Sequence, residues 1–296
     1  MENLYAAIDI GTNAGRLMIG KVIIDNGNET VQQIQLVRAP LRLGEDVFES
    51  GKISNEKLKK FIYTLKSFKL LAKAYGINEI AGVATSAMRE ASNRDNVLKI
   101  IHKKTKLQIE VIDGDREAEL IFKSFNINEL NSVLPILFID VGGGSTELTI
   151  FNGQVGKISK SFSIGTIRSL KNKVDNKVWD QIDNWLFKNR ISGQEITAIG
   201  TGGNINKISQ LARKRYLEPI SIGELSETYD FLSAMTITER IENLRMNPDR
   251  ADVIIPATEI YIRIMNKAQI ENIIVPKMGL TEGLILEQYF KNTKNL

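Results

Sequence analysis

The chain has 296 residues, which suggests about two domains, and its 43% hydrophobic and 25% charged residues are ordinary globular values that exclude a disordered or fibrous protein. The 39 basic and 35 acidic residues give a net charge of +4, too small for a protein that binds nucleic acid through dense phosphate neutralisation. Because there is no cysteine and only one histidine, His102, thiol catalysis, zinc–thiolate sites and multi-histidine metal sites are excluded.

No segment of the sequence has the features of a targeting signal or a membrane span. The first residues, Met1–Ile10, include acidic residues and no basic region, unlike a signal peptide. The longest apolar stretches, Val133–Val141 and Val253–Ile264, contain charged residues and are too short to cross a bilayer. We therefore expect a cytoplasmic protein that does not bind membranes.

The first part of the chain reads as alternating strands and helices. A glycine-rich turn separates the first two strand-like runs, and a long helix is predicted with Ser54 as its N-cap, because apolar residues recur at three- and four-residue steps. The predicted strands are Leu4–Ile10, Leu17–Ile24, Val31–Arg38, Ile80–Ala84 and Gln108–Ile112, and the predicted helices are Ser54 to about Tyr75, Asn93–Lys104 and Arg116–Phe125.

The pattern begins again at Val133–Val141, and this repetition is the most informative feature of the sequence. The segment YAAIDIGTNAGRLMIG (5–20) aligns without gaps with ILFIDVGGGSTELTIF (136–151), at an offset of 131 residues. Both read as an apolar strand, Asp-x-Gly, a turn of small residues and an apolar return strand. The simplest explanation is two domains of one topology, each opening with a β-hairpin, with a boundary near residue 125.

A third glycine-rich turn, GTGGN at 200–204, follows a predicted strand and opens a helix predicted to reach about Arg215. Further helices are predicted at Asn176–Lys188, at Leu225–Asn243 and from Gly279 to about Tyr289, with a strand at Ile270–Val275. The predicted domains are residues 1–124 and 125–280, with the C-terminal helix 281–296 as a candidate addition to the first.

Glycine-rich turns expose backbone N–H groups, and several such groups pointing one way bind an oxyanion. The strand-end acids Asp9 and Asp140 can hold a divalent cation, which must be a hard ion such as Mg²⁺ because only oxygen ligands are available. The alternative for each Asp-x-Gly turn is a tight hairpin in which the aspartate caps its own backbone. The GTGGN turn is neither a Walker A motif nor a dinucleotide fingerprint, but its position suits a phosphate at a helix N-terminus.

Three further side chains are candidates for chemistry on phosphate. Arg16 and Arg89 follow predicted strands, and arginine forks suit phosphate oxygens, although a surface ion pair is the commoner use of a single arginine. Glu117 follows a strand and opens a helix, where it is either a general base or an acid that favours the helix dipole. His102 lies among lysines, and we interpret it as solvated rather than catalytic.

Eight segments strengthen the functional interpretation. They are DIGTNAGRL (9–17), RLGED (42–46), ATSAMREA (84–91), IDGDREAELIF (112–122), FIDVGGGSTEL (138–148), GTGGNINKI (200–208), DRADVIIPATEI (249–260) and GLTEG (279–283). In this order they resemble the motifs of the exopolyphosphatase / guanosine pentaphosphate phosphohydrolase (Ppx/GppA) family, within the actin-like ATPase superfamily. FIDVGGGSTEL is the most specific match, and the resemblance covers essentially the whole chain.

The resemblance implies an α/β protein made of two actin-like (ribonuclease H-like) domains with an active-site cleft between them. Members of the family hydrolyse the terminal phosphoanhydride of inorganic polyphosphate, of guanosine pentaphosphate (pppGpp), or of both. A homodimer that binds polyphosphate or pppGpp, and neither DNA nor RNA, is the corresponding expectation. Two other functions stay open: an actin-like small-molecule kinase or ATPase, and a non-catalytic binder of polyphosphate or (p)ppGpp.

The resemblance also assigns roles to individual residues. Glu117, which matches the second Glu of the family's EEA, is the expected catalytic base, with Arg16 and Asp140 as further catalytic residues. The expected Mg²⁺ ligands are Asp140, Glu147 and Asp9. The expected phosphate-binding residues are Gly11, Thr12, Asn13, Arg89, Gly142, Gly143, Gly144, Ser145, Gly200, Thr201, Gly202 and Gly203.

Three departures from the family pattern stand out. Arg116 replaces the first Glu of EEA, and its guanidinium could lower the pKa of Glu117 or hold a phosphate. Thr281 stands where the family commonly has arginine, which puts one distal phosphate contact in doubt. The sequence also ends without the additional C-terminal helical domain of longer family members, so chain-length preference and processivity are open.

Overall fold

The structure, a computed structural model, describes residues 3–25, 27–125, 135–152, 156–189, 196–276 and 279–293. It divides into two compact units: unit 1 comprises Met1–Leu130 and Met278–Leu296, and unit 2 comprises Asn131–Lys277. The polar segment Asn126–Ser132, near which the sequence predicts a boundary, lies outside the described residues. Within the described ranges, no helix combines the length and hydropathy that a bilayer span requires.

Unit 1 has one mixed sheet, and its elements alternate after the opening hairpins. In chain order, its described elements are β1 (Leu4–Ile10), β2 (Ala14–Asp25), β3 (Asn28–Pro40), α1 (Leu43–Ser50), α2 (Asn55–Ala74), β4 (Ile80–Ala84), α3 (Ser86–Glu90), α4 (Arg94–Thr105), β5 (Glu110–Val111), α5 (Gly114–Lys123) and, numbered last along the chain, α13 (Leu280–Thr293). The strand order is β3-β2-β1-β4-β5, antiparallel from β1 to β3 and parallel from β1 to β5.

Unit 2 repeats this topology and adds one short strand. Its described elements are β6 (Ile136–Val141), β7 (Thr146–Asn152), β8 (Gly156–Phe162), α6 (Thr166–Leu170), α7 (Lys177–Asn189), β9 (Thr197–Thr201), α8 (Gly203–Leu211), β10 (Ile220–Ser221), α9 (Ile222–Ser233), α10 (Ile237–Leu244), α11 (Pro248–Ala251), α12 (Ile254–Ala268) and β11 (Asn272–Ile274). The strand order is β10-β11-β9-β6-β7-β8, so β8-β7-β6-β9-β11 corresponds to β3-β2-β1-β4-β5.

The two opening hairpins have matching registers, as the gap-free alignment of the sequence predicts. In unit 1 Asp9 pairs with Arg16 across β1 and β2, and in unit 2 Asp140 pairs with Glu147 across β6 and β7. Each pair lies at the end of its hairpin next to the glycine-rich turn. The repetition therefore places two acids and two turns at equivalent positions of two separate sheets.

Buried apolar side chains hold the C-terminal helix α13 on the sheet of unit 1. Leu280, Leu284 and Ile285 of α13 share a core cluster with side chains of β1, β2, β4 and α5. On α2, Ser54 accepts a hydrogen bond from the backbone N–H of Lys57 at 3.2 Å, which confirms the predicted N-cap. Unit 2 has its own larger apolar core, in which most of α12 is buried.

Two predicted helices of unit 2 have different bounds in the structure. The stretch Leu225–Asn243 is two helices, α9 and α10, because Thr236 and Glu239 form a capping box that starts a new helix. The helix after the GTGGN turn ends at Leu211 rather than near Arg215, because the chain turns at Ala212 and Arg213 has a left-handed φ of 53°.

Candidate functional site

The turn between β1 and β2, here called loop 1 (Gly11–Ala14), is closed by a hydrogen bond from the Gly11 N–H to the Ala14 carbonyl at 3.0 Å. Beside it, the Arg16 guanidinium lies 3.4 Å from the carboxylate of Asp9, measured from Nη1 to Oδ2. Asp9 is 6% exposed. Burial raises the pKa of Asp9, and the positive charge of Arg16 opposes that rise only in part.

A second carboxyl, that of the partly buried Glu282 in the first turn of α13, is affected by the same charges. Burial is the main cause that raises the pKa of Glu282, and the negative charge of Asp9 adds to it, while Arg16 acts in the opposite direction. The Thr281 hydroxyl donates to the Glu282 carboxylate at 2.9 Å, so Thr281 supports this acid. Sequence analysis did not single out Glu282, although it lies in the GLTEG segment.

The carbonyl groups of loop 1 are held by the residues that follow β3. The Arg42 N–H donates to the Asn13 carbonyl at 2.7 Å, and the Gly44 N–H donates to the Thr12 carbonyl at 3.0 Å. The Thr12 hydroxyl oxygen accepts from the Ala87 N–H at 3.2 Å. The RLGED segment therefore supports loop 1 from one side, which gives that motif a physical role.

The turn between β6 and β7, here called loop 2 (Gly142–Ser145), has the same closure, with the Gly142 N–H donating to the Ser145 carbonyl at 3.0 Å. Its carbonyls are held by the residues that follow β8. The Thr166 N–H donates to the Gly142 carbonyl at 3.0 Å, and the Ile167 N–H donates to the Gly143 carbonyl at 2.8 Å.

Arg168 and Gly165 complete this support. Arg168 is 8% exposed, and its Nε donates to the Gly144 carbonyl at 2.8 Å. A Cβ at Gly165 would lie 2.6 Å from both the Gly143 carbonyl carbon and the Gly144 nitrogen, so only glycine allows this approach. Sequence analysis missed both residues, because nothing local in SIGTIR (163–168) indicates contact with a turn that lies 24 positions upstream of Arg168.

The supports determine where the loop N–H groups point. In a trans peptide, the C=O of one residue and the N–H of the next point in opposite directions. Because the carbonyls are held from the side of α1 or α6, the N–H groups that follow them point away from that support. These N–H groups belong to Asn13 and Ala14 in loop 1 and to Gly143, Gly144 and Ser145 in loop 2. Each loop can therefore form a concave oxyanion site of the kind that binds phosphate.

Asp140 and Glu147 are two acids of unit 2 whose carboxylates are close enough to share a metal ion. One carboxylate oxygen of each lies within 4.8 Å of the other. Glu147 is 4% exposed and accepts a hydrogen bond from the Ser161 hydroxyl at 2.7 Å. Two carboxylates this close repel each other unless a proton or a cation lies between them. The all-oxygen donor set fits Mg²⁺.

The third glycine-rich turn lies against this acid pair. Asp140 is next to Thr201 in the β6–β9 register, and a Cβ at Gly202 would lie 2.8 Å from Asp140 Oδ1. Gly202 also has a φ of 98°, a conformation that other residues rarely adopt. Thr201 is 2% exposed, and its hydroxyl oxygen has no hydrogen-bond partner among the described residues.

The other two glycines of this turn have different surroundings. A Cβ at Gly200 would lie 2.9 Å from side-chain atoms of Ile205 and Ile273, which indicates that Gly200 serves helix–strand packing. Gly203 is the first residue of α8, whose backbone N–H groups are available at the helix N-terminus. Gly203 can therefore contribute a backbone N–H group to a phosphate, whereas the role of Gly200 is in packing.

Tyr261 on α12 supports the same strand ends from the protein interior. Its hydroxyl donates to the Thr201 carbonyl at 2.8 Å and accepts from the Val141 N–H at 3.3 Å. Burial raises the pKa of Tyr261 well above its usual value, and the negative charge of Asp140 adds to the rise. Tyr261 therefore stays neutral and acts as a fixed hydrogen-bonding group. The sequence did not indicate this role, because a tyrosine in an apolar helix is usually part of the hydrophobic core.

Arg89 and Glu117 lie on separate helices of unit 1. Arg89 on α3 donates from Nη1 to the Ile112 carbonyl at 2.8 Å, which ties α3 to the segment that leads into α5. Glu117 is half-buried in the first turn of α5, and this turn is capped by Asp113, whose carboxylate accepts from the Arg116 N–H at 2.8 Å. His102 is exposed at the end of α4.

The sequence profile of the Ppx/GppA phosphatase family matches residues 22–292 of this chain. A bifunctional 3-dehydroquinate synthase/phosphatase from Fusobacterium nucleatum is 31% identical to this chain. The match covers 96% of this chain but only 46% of that longer protein, so the chain spans about half the length of this relative. Exopolyphosphatase 1 from Mycobacterium leprae is 26% identical, and the match covers 95% of this chain and 88% of that protein.

Solved structures show the same architecture. An exopolyphosphatase from Cytophaga hutchinsonii superposes with a TM-score of 0.78 at 24% identity, and the match covers 97% of each chain. This likeness concerns the fold. Together with the repeated strand order, it identifies the two units as actin-like α/β domains.

Proposed function

Since the chain belongs to the Ppx/GppA phosphatase family, we propose that it hydrolyses the terminal phosphoanhydride bond of inorganic polyphosphate. The observation that carries this proposal is the pair of matched Asp-x-Gly loops whose carbonyls are held from one side. Backbone N–H groups that are fixed before the substrate arrives stabilise the charge that develops on phosphate oxygens, usually the largest contribution to phosphoryl transfer.

The proposed reaction is attack of water on the terminal phosphorus. The water oxygen forms a new bond to phosphorus, the bridging P–O bond breaks, and the shortened polyphosphate leaves with the bridging oxygen. Glu117 orients the water and accepts its proton, while Arg16 and Arg89 bind phosphate oxygens. The cleft implied by the family resemblance is part of this proposal, because loops of both units must serve one substrate.

Mg²⁺, when bound, would be held by Asp140 and Glu147, with Asp9 as a further ligand, and would neutralise phosphate charge. The protein groups around the acids have their own tasks. Ser161 orients Glu147 by donating a hydrogen bond, and Gly202 keeps the backbone of the third turn close to Asp140. The cytoplasmic location expected from the sequence and the homodimer implied by the family resemblance stay part of the proposal.

The test compares phosphate release from long polyphosphate, short polyphosphate, pppGpp and ATP, each with and without Mg²⁺. We expect Mg²⁺-dependent release from polyphosphate, and release from pppGpp would extend the substrate range to guanosine pentaphosphate. Transfer of the terminal phosphoryl group of ATP to an acceptor alcohol, with ADP as the other product and no release of inorganic phosphate, would indicate a kinase. Tight binding of polyphosphate without release would indicate a binding protein.

A variant pair tests the proposed base. We expect Glu117→Gln to retain polyphosphate binding and to lower kcat by at least about 10²-fold, because general-base catalysis is worth about 10²–10⁴-fold. Glu110→Gln is the matched control, because Glu110 is an exposed acid in the same unit. A Glu117→Gln variant with the turnover of the control would remove Glu117 from the mechanism.

A further inference from the structure

Arg116, the residue that departs from the family's EEA pattern, is held by two carboxylates. Its Nη2 atom lies 2.7 Å from Glu287 Oε1 and 2.6 Å from Glu287 Oε2, and its Nη1 atom lies 2.9 Å from Glu119 Oε2. The side chains of Arg116 and Glu287 are 26% and 17% exposed, so this contact is largely shielded from solvent. Ion pairs in such positions are more persistent than those on the surface.

Glu287 on α13 is the centre of a larger network. Lys123 on α5 and Lys291 on α13 each donate to its carboxylate at 3.1 Å. Burial alone would raise the pKa of Glu287, but the hydrogen bonds from Arg116, Lys291 and Lys123 outweigh it and hold the pKa at about 2. Glu287 is therefore ionised at neutral pH, where its ion pair with Arg116 is fully formed.

Helices α5 and α13 also touch through their backbones. A Cβ at Gly283 would collide with the Leu120 carbonyl oxygen, so α13 can approach α5 this closely only because residue 283 is glycine. Farther along α13, Gln288 Nε2 donates to the Ala6 carbonyl of β1 at 2.8 Å. Helix α13 is therefore anchored to β1, the strand that contains Asp9, and α5 is anchored to α13.

We propose that Arg116 is a positioning residue that acts through Glu287 to fix helix α5 and, with it, the carboxylate of Glu117. This inference rests on the proposed function, in which Glu117 orients and deprotonates water. Arg116 and Glu117 are consecutive in one helical turn, about 100° apart around the axis, so a contact that fixes one also fixes the direction of the other. The guanidinium donates to carboxylates of its own unit, which gives it a task other than binding a phosphate.

Loss of this contact should affect the chemical step more than substrate binding. A displacement of about 1 Å at a catalytic group can cost up to about 10²-fold in rate. We therefore expect Arg116→Gln to lower kcat for polyphosphate hydrolysis by about tenfold or more, with KM changed less than about twofold. A larger rise in KM than fall in kcat would overturn the inference and indicate direct phosphate binding.

Two control variants separate positioning from general loss of charge. Lys123→Gln removes a peripheral cation of the same network but leaves Arg116 on Glu287, and Arg94→Gln removes an exposed ion pair on α4. Both are expected to keep kcat within about twofold of the parent protein. Equal effects of Arg116→Gln and Lys123→Gln would contradict a specific role for Arg116.

The decisive experiment is a double-mutant cycle with Glu117→Gln. If Arg116 acts through Glu117, adding Arg116→Gln to Glu117→Gln should lower kcat less than about twofold further, whereas a purely structural role predicts the same factor in both backgrounds. Assays run well below the Tm of each variant keep all of them folded, and the exchanged pair Arg116→Glu/Glu287→Arg should recover part of the lost kcat.

The outcomes distinguish the two proposals. A large loss in Glu117→Gln with a fully multiplicative effect of Arg116→Gln overturns the positioning role and leaves the proposed function in place. A Glu117→Gln variant with normal turnover overturns both. A large loss in Glu117→Gln, with little further effect of Arg116→Gln, supports both.

Discussion

Loop 1 and loop 2 are closed by the same type of backbone hydrogen bond but differ in the residue opposite the strand-end aspartate. In unit 1 Asp9 stands opposite Arg16, and in unit 2 Asp140 stands opposite Glu147. The first acid therefore has a cation beside it, whereas the second has another carboxylate within 4.8 Å. In the proposed mechanism, Mg²⁺ therefore matters most at loop 2, where two carboxylates meet, whereas at loop 1 the guanidinium of Arg16 already offsets the charge of Asp9.

The largest expected effect tests which acid binds the metal. Asp140→Asn should lower Mg²⁺-dependent phosphate release by about a thousandfold and raise the Mg²⁺ concentration needed for half-maximal rate, because metal stabilisation of phosphoryl charge is worth several kcal/mol. Asp9→Asn should shift the Mg²⁺ requirement much less. Asp183→Asn, which removes a surface ion pair with Lys267, is the control.

Equal shifts of the Mg²⁺ requirement in Asp140→Asn and Asp9→Asn would contradict the proposed difference between loop 1 and loop 2. That result would mean that both loops bind the metal in the same way, and that Arg16 does not replace a cation in unit 1. A Mg²⁺ titration of phosphate release on the three variants and the parent protein gives the answer.

A second, smaller effect tests the support of loop 2. Gly165→Ala should lower kcat by about a hundredfold, because its Cβ must displace the Gly143–Gly144 peptide and turn the N–H groups of loop 2 away from the phosphate. Gly223→Ala is the matched control, because the nearest atom to its Cβ would be Ser221 Oγ at 3.8 Å, an ordinary contact.

The comparison of the two variants would show whether a loss of activity comes from altered geometry of loop 2 or from a general loss of folded protein. Gly223→Ala should be neutral or stabilise helix α9 by up to about 1 kcal/mol. If Gly165→Ala retains the kcat of this control, loop 2 does not depend on the close approach of α6. That result would contradict the proposal that the segment after β8 holds loop 2 as the segment after β3 holds loop 1.

The smallest expected effect is on the pH dependence of the free energy of unfolding, which the Glu287 ion pairs should influence in unit 1 and not in unit 2. Glu287 has a pKa of about 2 against an ordinary value of 4.5, so its ion pairs contribute full stability above about pH 4.5 and lose it as the pH falls toward 2. Glu287→Gln should lower the stability of unit 1 by about 1–2 kcal/mol at pH 7 and by less near pH 3.

The tryptophans allow the two units to be followed separately. Trp179 and Trp185, the two tryptophans of the chain, both lie on α7 in unit 2. Urea unfolding followed by tryptophan fluorescence should therefore be unchanged by Glu287→Gln, while unfolding followed by far-UV circular dichroism should show the loss. Equal shifts in both signals would mean that the two units unfold together.

Local patterns predicted the parts of the fold that depend on neighbouring residues. Strands β1 and β4 have the predicted bounds, because each is a short apolar run ended by turn residues. Helix α2 begins after Ser54 as predicted, since capping is a contact within one turn. The gap-free alignment of the two hairpins gave the paired registers, because a β-hairpin is also local in sequence.

The parts that sequence reasoning missed depend on contacts between distant segments. The support of loop 2 by Arg168, the hydrogen bonds of Tyr261 and the placement of Glu282 near Asp9 all join residues that are far apart along the chain. The role of Arg116 was open for the same reason, because its main partner, Glu287, lies 171 positions away. Periodicity and local motifs contain no signal for such pairs.

Phosphate release from polyphosphate by the parent protein and by Glu117→Gln, measured side by side at saturating Mg²⁺, tests the central claim most directly. We expect the parent protein to release inorganic phosphate and the variant to bind polyphosphate equally well while releasing phosphate at least about 10²-fold more slowly. Equal rates, or no release by the parent protein, would contradict the assignment of this chain as a phosphoanhydride hydrolase with Glu117 as its base.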